Sequence, residues 1–256
     1  MSAPLLEVDR LHHWFGGLHV IDGVSFTCRA GIVKGIIGPN GAGKTTLFNL
    51  VAGTFPPYSG RILLDGRPLS RLPAHRVAAA GISRTFQATR LFPRMTVLEN
   101  VMVGMHARCR HGFLAGLAGP LATRREEARI RGACRELLDL LGLGAFAFRN
   151  ARDLPFGRQR VVEVARALAA QPRLLLLDEP ACGLNPRETE EMTELIAAIR
   201  ARATTVLVVE HDMSLVMGVC DEVLVLSSGR RIAEGTPREI QSDPEVIALY
   251  LGNGDA

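Results

Sequence analysis

Lysine is nearly absent from this chain of 256 residues, which has only Lys34 and Lys44 among its 30 basic side chains. The other basic residues are arginines, and the formal net charge at pH 7 is +4. Proteins that bind nucleic acid usually concentrate basic residues in a block or stripe, and this sequence contains no such block. The charge pattern therefore argues against a nucleic-acid partner.

Long hydrophobic runs are also lacking. Uninterrupted runs of leucine, isoleucine and valine reach four residues, as at 174–177, whereas a helix that crosses a bilayer takes about 20 apolar residues. The first residues contain no basic segment that leads into an apolar one, so no secretory signal is expected. These two absences predict a protein that remains in the cytoplasm.

Cysteine is sparse and scattered. No two cysteines have the Cys-x-x-Cys spacing of metal and redox motifs, so neither role is expected. In a cytoplasmic chain such cysteines are expected to be reduced and mostly buried. They are Cys28, Cys109, Cys134, Cys182 and Cys220.

Strand and helix patterns alternate along most of the chain. The composition, with 47% apolar and 22% charged residues, excludes a disordered, collagen-like or coiled-coil architecture. β-rich runs occur at 5–10, 24–28, 32–37, 61–64, 81–86, 174–177, 204–209 and 222–226. Helical spacing occurs at 44–52, 95–105, 123–141, 157–169, 187–200 and 213–219. This order predicts an α/β fold with a mainly parallel sheet and an antiparallel N-terminal part.

The helical patterns in the middle of the chain predict an inserted lobe. We expect one domain over residues 1–256, in which residues 1–87 and 171–256 form an α/β core and residues 88–170 form an α-helical subdomain. Open parallel sheets bind their ligands at the carboxyl ends of the strands. The functional residues are therefore expected just after the strands of the core.

A glycine-rich segment follows the strand predicted at 32–37 and precedes a predicted helix. It matches the phosphate-loop pattern G-x-x-x-x-G-K-[ST], in which backbone N–H groups and a helix N-terminus surround phosphate oxygens. Its residues are Gly38, Pro39, Asn40, Gly41, Ala42, Gly43, Lys44, Thr45 and Thr46. We predict that Lys44 contacts the β- and γ-phosphates, Thr45 supplies a hydroxyl to Mg²⁺, and Thr46 makes a further phosphate contact.

The aliphatic strand at 174–177 ends in Asp178 and Glu179. A carboxylate at the end of such a strand lies near the metal of a bound nucleotide. Asp178 is predicted to hold Mg²⁺, and Glu179 to polarise the attacking water as a general base, a role that contributes about 10²–10⁴-fold in rate. The phosphate loop and these two carboxylates together predict a P-loop nucleotidase.

Three further elements follow in a fixed order. Gln87 comes after the strand at 81–86, a glycine-bearing segment at 154–159 opens a helix, and His211 comes after the strand at 204–209. Together with the phosphate loop and the Asp-Glu pair, this order resembles the ATP-binding-cassette ATPases over residues 5–252. The resemblance implies that Gln87 senses the γ-phosphate and the metal, and that His211 contacts the γ-phosphate.

The segment at 154–159 corresponds to the family's signature, which binds the nucleotide held by a second subunit. Its residues are Leu154, Pro155, Phe156, Gly157, Arg158 and Gln159. Pro155 replaces the usual serine, and because proline has neither a hydroxyl nor a backbone donor, the serine contact to phosphate is impossible. Arg158 either helps to hold the partner's nucleotide or is a solvated arginine. Asn185 stands where many cassettes have aspartate.

The resemblance also places an adenine-stacking aromatic at Phe15, with Val20 as an accompanying apolar contact. Trp14, the only tryptophan, is the alternative, because adjacent side chains of an extended segment point to opposite faces. His12 and His13 are expected to be surface histidines, since no third metal ligand is evident beside them.

Several longer segments point to a subfamily. Residues 81–87, 90–101, 183–191, 210–213 and 250–252 closely resemble the larger ATPase subunit of branched-chain amino-acid importers. This implies ATP and Mg²⁺ as ligands and a peripheral position on the inner face of the cell membrane. The implied partners are a second ATPase subunit, or a second copy of this chain, two integral membrane subunits and, indirectly, a periplasmic binding protein. Leu91, Phe92 and Met95 are candidates either to receive a helix from a membrane subunit or to pack the helical lobe.

Three alternatives compete with this interpretation. The ATPase of lipopolysaccharide export has a similar length and ending, but its class tends to keep the signature serine. A soluble cassette ATPase that acts as an assembly or chromosome factor would carry a long coiled-coil insertion or two phosphate loops. A P-loop kinase is disfavoured, because Glu179 and His211 suit attack by water better than transfer of the phosphate to an acceptor. The cargo stays open among leucine, isoleucine and valine, other amino acids, amides and urea.

Overall fold

The computed structural model describes residues 3–85, 91–105 and 120–251, and for residues 120–125 and 251 it describes the backbone alone. Its contacts divide the chain into two compact units. Unit 1 comprises Met1–Arg84 and Arg173–Ala256, and unit 2 comprises Thr85–Pro172. Among the described residues, no helix is both long and apolar enough to cross a membrane.

The regular elements alternate much as the sequence predicts. The strands are β1 (Leu6–Phe15), β2 (Leu18–Cys28), β3 (Val33–Ile37), β4 (Ser59–Leu64), β5 (Arg67–Pro68), β6 (Ile82–Arg84), β7 (Leu174–Asp178), β8 (Thr205–Val209), β9 (Glu222–Ser227) and β10 (Arg230–Gly235). The helices are α1 (Lys44–Val51), α2 (Ala74–Ala79), α3 (Val97–Gly104), α4 (Pro120–Leu140), α5 (Phe156–Ala169), α6 (Pro186–Ala201), α7 (Met213–Val219), α8 (Pro237–Ser242) and α9 (Pro244–Leu251). The strands named here lie in unit 1, and α3, α4 and α5 lie in unit 2.

Unit 1 is built on two sheets, and its α/β class is the predicted one. The larger sheet has the strand order β10-β9-β3-β8-β7-β6. Its strands from β9 to β6 pair in parallel, and β10 pairs antiparallel to β9 at the edge. The smaller sheet has the order β2-β1-β4-β5 and is antiparallel. The expected antiparallel N-terminal part is therefore confirmed.

The central strands explain the aliphatic runs in the sequence. Every residue of β3, β7 and β8 is buried, as is typical of a parallel sheet that is covered on both faces. Lys34 lies within β3, where its ammonium donates to the Thr27 carbonyl (2.7 Å) and the Glu222 carboxylate (3.0 Å) and also pairs with Glu234. These partners offset the cost of burying a charge, so Lys34 has a structural role.

The cysteines that the structure describes are confirmed as free and mostly buried. Cys28, Cys134 and Cys220 are buried and Cys182 is half-buried. Burial raises the pKa of Cys28 and Cys220 to about 12 and that of Cys134 to about 11. Thiols with such high pKa values are poor nucleophiles and poor metal ligands.

Unit 2 is helical among its described residues. Thr96 and Glu99 form a capping box at the start of α3, and the buried side chain of Asn100 accepts from the Phe92 N–H (2.8 Å) and donates to the Phe92 carbonyl (3.1 Å). The helices α3 and α5 approach closely at Gly104, where an added Cβ would lie 1.9 Å from the Arg166 carbonyl oxygen. Glycine is therefore required at that crossing.

Some elements differ from the sequence prediction. β1 continues to Phe15 instead of ending at Arg10. Arg10 adopts a positive φ of 45° at an irregularity in the strand pairing, and the strand resumes after it. The short elements β5, β10, α2, α8 and α9 were not predicted, since each is too short to show a clear hydrophobic period. For α8 a signal did exist: Thr236 and Glu239 form a capping box, and Pro237 follows the cap.

Candidate functional site

The predicted phosphate loop connects the buried strand β3 to helix α1. Gly38, Gly41 and Gly43 have positive φ values of 148°, 79° and 97°. An added Cβ would lie 2.0 Å from the Leu226 carbonyl oxygen at Gly38 and 2.8 Å from the Val20 carbonyl oxygen at Gly43. Glycine is thus required for both the backbone conformation and the close packing of this loop.

The start of α1 has the properties of an anion site. Its N-cap is Gly43, which offers no side-chain acceptor, and its first turn contains no acidic residue. The N–H groups of a first helical turn need partners outside the helix, and the helix dipole favours negative charge there. Thr45 is exposed and Thr46 is half-buried in this turn.

Lys44 is buried against the loop that it follows. Its Nζ donates to the carbonyl oxygens of Gly38 (2.6 Å) and Pro39 (3.0 Å). Burial lowers the pKa of Lys44, and the negative charge of Glu179 opposes this effect. The ammonium therefore lies within the loop and in the electrostatic range of the carboxylate that was predicted as the general base.

Asp178 and Glu179 stand at the carboxyl end of β7. The Asp178 carboxylate, 2% exposed, accepts an N–H from the Arg84 guanidinium at 2.7 Å. Glu179 is half-buried, and its backbone N–H donates to the Val209 carbonyl at 2.9 Å. Its φ of 48° lies in the left-handed region, a conformation that costs a residue with a side chain about 1–3 kcal/mol.

Arg84 is a site residue that the sequence analysis did not identify. Besides the Asp178 bond, its guanidinium donates to the Asn49 amide oxygen of α1 at 2.6 Å and lies 5.8 Å from the centre of the Phe48 ring. The pairing of β6 with β7 brings Arg84 level with Leu176. Since that pairing is a long-range contact, no local pattern could have indicated the role of this arginine.

His211 follows β8, and its side chain is 62% exposed. The loop that carries it is held by Glu210, which is fully buried and accepts backbone N–H bonds from Ala181 (2.8 Å), His211 (2.9 Å) and Asp212 (3.2 Å). Burial raises the pKa of Glu210, and the three bonds act in the opposite direction. Glu210 thereby connects the loop after β7 to the loop after β8, another role that sequence reasoning missed.

The sheet brings these loops together because β8 lies between β3 and β7. Ile36 of β3 pairs with Val209 of β8, and Val209 pairs with Asp178 of β7. The three strands are parallel, so the phosphate loop, His211 and Glu179 all begin at the same edge and at the same level. Such an edge is where open α/β sheets bind their ligands.

Phe15 and Trp14 point to opposite faces of β1. Trp14 stacks on His19, with 3.9 Å between ring centres, whereas Phe15 is 51% exposed and makes an edge contact with Phe55. His13 lies on the Phe15 side and stacks on Phe55 at 4.8 Å. His13 is half-buried by this packing, and its pKa is lowered by that burial.

Val20 places this hairpin beside the phosphate loop. Val20 is a half-buried residue of β2. Its carbonyl oxygen is the atom that a Cβ added at Gly43 would meet first, and it also lies close to Gly229. The Gly229 N–H in turn donates to the carbonyl of Ala42, at 3.1 Å. Phe15 and Val20 are therefore carried by a hairpin that packs directly on the loop.

The signature segment lies in unit 2, at the start of α5. Pro155 is the N-cap and offers no side-chain bond, and the first turn has no acidic residue. Leu154 and Gly157 are buried, Pro155 and Phe156 are exposed, and the Gln159 amide donates to the Leu154 carbonyl at 2.8 Å. The segment thus presents an uncapped helix start, with Arg158 half-buried in its first turn.

Two of the remaining predicted positions have different outcomes. Gln87 lies outside the described residues. Asn185 is the N-cap of α6, where its side chain accepts the Glu188 N–H at 3.0 Å and completes a capping box. Asparagine and aspartate are equally good N-caps, so this departure from the family pattern preserves the start of the helix.

Comparison with known proteins shows which families the sequence matches. The family described as "ABC transporter" matches residues 21–182, and the family described as "Branched-chain amino acid ATP-binding cassette transporter" matches residues 230–256. The first match covers β3, the phosphate loop, the signature segment and β7, and the second covers β10, α8 and α9.

Curated relatives align over almost the whole chain. The high-affinity branched-chain amino acid transport ATP-binding protein BraF of Pseudomonas aeruginosa is 46% identical, with 98% of this chain and 99% of the relative covered. LivG of Escherichia coli, which has the same description, is 44% identical with the same coverage. The lipopolysaccharide export system ATP-binding protein LptB of Haemophilus influenzae is 34% identical, with 97% of each chain covered.

Solved structures share the fold. A nucleotide-free ATP-binding cassette from an ABC transporter has a TM-score of 0.85 and 29% identity, with 97% of this chain and 99% of that chain covered. The ADP conformation of an ATP-binding cassette has a TM-score of 0.85 and 28% identity, with 98% and 100% covered. With its phosphate loop, its paired carboxylates and its full-length relatives, this chain belongs to the ABC transporter family, as one of its nucleotide-binding, ATP-hydrolysing components.

Proposed function

We propose that this chain is the ATP-hydrolysing subunit of an ABC importer for branched-chain amino acids. The observation that carries the proposal is the 44–46% identity to BraF and LivG over 98% of the chain. The family match at residues 230–256 supports the same subfamily at the C-terminal end. Lipopolysaccharide export is the competing function, and it is supported by a lower identity of 34%.

The nucleotide site is proposed to bind ATP with Mg²⁺. Mg²⁺ takes oxygen ligands and is usually held by one or two protein groups together with substrate phosphates. The hydroxyl of Thr45 at the start of α1 and the carboxylate of Asp178 at the end of β7 fit this donor set, and Gln87 would add an amide oxygen. When bound, Mg²⁺ neutralises charge on the β- and γ-phosphates.

The protein side chains are proposed to do the rest of the chemistry. Lys44 and Thr46 hold the phosphates, and Lys44 exchanges its present carbonyl partners for phosphate oxygens. Glu179 orients and polarises the attacking water as general base. His211, which is exposed on the neighbouring loop, contacts the γ-phosphate. The backbone N–H groups of residues 38–46 complete the phosphate cradle.

For adenine, the structure supports Phe15 over Trp14. Trp14 is already covered by His19 on one side of the hairpin and makes an edge contact with Tyr58, whereas Phe15 is exposed on the other side. We propose that Phe15 stacks on the base and that Val20 makes an apolar contact with it.

A second subunit is needed to complete the site in this proposal. Each ATP is bound between the phosphate loop of one subunit and the signature of another, so the monomer is expected to be nearly inactive. Because Pro155 offers no hydroxyl, the N–H groups around Gly157 at the start of α5 would contact the partner's nucleotide. We propose residues 1–87 and 171–256 as the nucleotide-binding core and residues 88–170 as the helical subdomain.

The proposed assembly lies on the inner face of the cell membrane. It contains a second ATPase subunit, or a second copy of this chain, and two integral membrane subunits, and it receives its cargo from a periplasmic binding protein. The test is ATP-dependent uptake of radiolabelled leucine, isoleucine and valine by proteoliposomes that contain this assembly. Uptake that disappears in Glu179→Gln supports the proposal. Absence of uptake, together with restored lipopolysaccharide transport in cells depleted of their export ATPase, would overturn the cargo assignment.

A further inference from the structure

Three potential metal ligands converge on one face of the β1–β2 hairpin, and we name them the hairpin cluster: His12, His19 and Asp22. Their ligand atoms all lie within 4.8 Å of one another. The side chains are 29%, 30% and 24% exposed, so the cluster lies at the surface but is partly covered. His12 is partly exposed, as expected of a surface histidine, and the two groups beside it that could serve as further ligands come from the neighbouring strand.

The hairpin register explains how this happens. His12 pairs with Asp22, and Trp14 pairs with His19, across the two antiparallel strands. Residues 19 and 22 are three apart and would point to opposite faces of a regular strand. A register shift between residues 13 and 14 leaves Val20 as an extra residue of β2, which turns His19 onto the face of Asp22. The bulge thus builds the cluster.

The distances match those around a small metal ion. His12 Nδ1 lies 3.3 Å from His19 Nε2 and 3.4 Å from Asp22 Oδ1, and His19 Nε2 lies 3.7 Å from Asp22 Oδ1. Two ligands of a tetrahedral ion with bonds of about 2.0–2.1 Å lie roughly 3.3–3.4 Å apart. An ion placed among the three atoms would therefore have ordinary bond lengths, and the two stacked imidazole rings would turn to bring it into their planes.

Surrounding groups already orient two of the ligands. The indole of Trp14 stacks on the His19 ring at an interplanar angle of 7°. The Arg230 guanidinium donates two N–H bonds to Asp22 Oδ2, at 2.6 and 2.7 Å, so that the other oxygen, Oδ1, faces the histidines. Metal ligands are normally held in orientation by such contacts with neighbouring groups that do not themselves bind the metal.

Two contacts oppose metal binding. His12 Nδ1 and His19 Nε2 share a hydrogen bond at 3.3 Å, which a metal ion would have to break. The Gly23 N–H donates to His12 Nδ1 at 3.2 Å, and a metal would have to replace this bond at the same lone pair. The expected affinity is therefore moderate, and binding should be reversible.

From this geometry we propose that the hairpin cluster binds one divalent transition-metal ion such as Zn²⁺, Cu²⁺ or Ni²⁺. Two imidazoles and one carboxylate suit these ions, whereas Mg²⁺ and Ca²⁺ prefer sites made of oxygen alone. The bound ion joins β1 to β2 in the hairpin that carries Phe15 and Val20. The hairpin cluster shares no residue with the proposed Mg²⁺ site of the phosphate loop, and its existence does not depend on the transported cargo.

The chain contains its own probe for the proposal. Trp14 is its only tryptophan and lies 3.9 Å from the His19 ring, so a paramagnetic ion on His19 should quench the tryptophan fluorescence. Tag-free protein is titrated with Cu²⁺ in a non-chelating buffer, and Zn²⁺ is then added as a competitor. We expect saturation at one Cu²⁺ per chain, recovery of fluorescence with Zn²⁺, and no recovery with millimolar Mg²⁺.

Three variants test the ligands: His12→Gln, His19→Gln and Asp22→Asn. Each should weaken Cu²⁺ binding by about tenfold or more, since even the loss of a group that only orients a ligand costs about 10–100-fold at many metal sites. The matched control is His75→Gln, at an exposed histidine of α2, and it should bind as the wild type does. Wild-type affinity in both histidine variants, or quenching without saturation, would refute the site.

A second measurement removes any dependence on the folding of the variants. X-ray absorption of the wild-type Zn²⁺ complex should show imidazole scattering from two ligands at about 2.0–2.1 Å and no sulfur. A spectrum with oxygen ligands alone, or with a sulfur ligand, would place the ion elsewhere and overturn the proposal.

Discussion

Replacing Gly38 with alanine tests whether the phosphate loop depends on a close backbone contact with β9. Gly38 has a φ of 148°, and an added Cβ would lie 2.0 Å from the carbonyl oxygen of Leu226. That oxygen belongs to a central strand, so it cannot move away as a flexible side chain would. Either the loop or β9 must shift.

The chain offers a matched control at Gly41. Its φ of 79° is also unfavourable for alanine, but within the described part of the chain no atom lies within 4 Å of the added Cβ. Gly41→Ala should therefore cost only the backbone conformation, about 1–2 kcal/mol of the free energy of unfolding. Gly38→Ala should add an overpacking cost of about 1–3 kcal/mol, for a total of about 2–5 kcal/mol.

The assay is urea unfolding of the nucleotide-free protein, followed by the fluorescence of Trp14, which lies in unit 1 together with both glycines. The expected result is a clearly lower free energy of unfolding for Gly38→Ala than for Gly41→Ala, with similar urea dependence. Equal destabilisation of the two variants would refute the argument that contact with Leu226, beyond backbone conformation, requires glycine at this position.

Four further predictions concern catalysis, coupling and stability. Lys44→Ala should weaken ATP binding and abolish turnover, because the phosphates lose their buried cation; wild-type affinity in calorimetry would contradict this. Glu179→Gln should preserve ATP binding, stop hydrolysis and favour an ATP-bound dimer in size-exclusion chromatography, whereas normal hydrolysis would remove Glu179 from the base role. Met95→Asp, at a side chain that is 39% exposed, should abolish transport but not basal ATPase activity, and surviving transport would exclude Met95 from the coupling surface. Asp212 caps α7, and its bonds to Ser214 hold its pKa below the usual 3.8. Its contribution to the free energy of unfolding is therefore present above about pH 3.8. That contribution is lost as the pH falls through the lower pKa of the folded state. Asp212→Ala should thus cost about 1 kcal/mol at pH 7, a difference that thermal melts should show shrinking in acid.

The family and the core of the site could be predicted from the sequence because their signals are local. A phosphate loop needs glycines, a lysine and a hydroxyl at fixed spacing between a strand and a helix, and residues 38–46 meet this requirement without reference to the rest of the fold. Asp178 and Glu179 were recognisable for the same reason, since a fully buried strand is nearly continuous in leucine.

Residues that act through long-range contacts could not be predicted in this way. Arg84 reaches Asp178 because β6 pairs with β7, although the two residues are 94 positions apart in the chain. Glu210 accepts the N–H of Ala181 across 29 positions. An arginine at the end of one strand and a glutamate at the end of another have no spacing that distinguishes them from ordinary polar residues.

The hairpin cluster shows the difference most clearly. The sequence by itself determined that two histidines stand together at positions 12 and 13, and that pair predicted only surface residues. The tertiary structure separated them: His13 packs on Phe55, and His12 faces His19 and Asp22. The physical reason lies in strand geometry. Adjacent residues of β1 point to opposite faces, which separates His12 from His13, and the extra residue of β2 at Val20 reverses the alternation of that strand and brings His19 onto the face of His12 and Asp22.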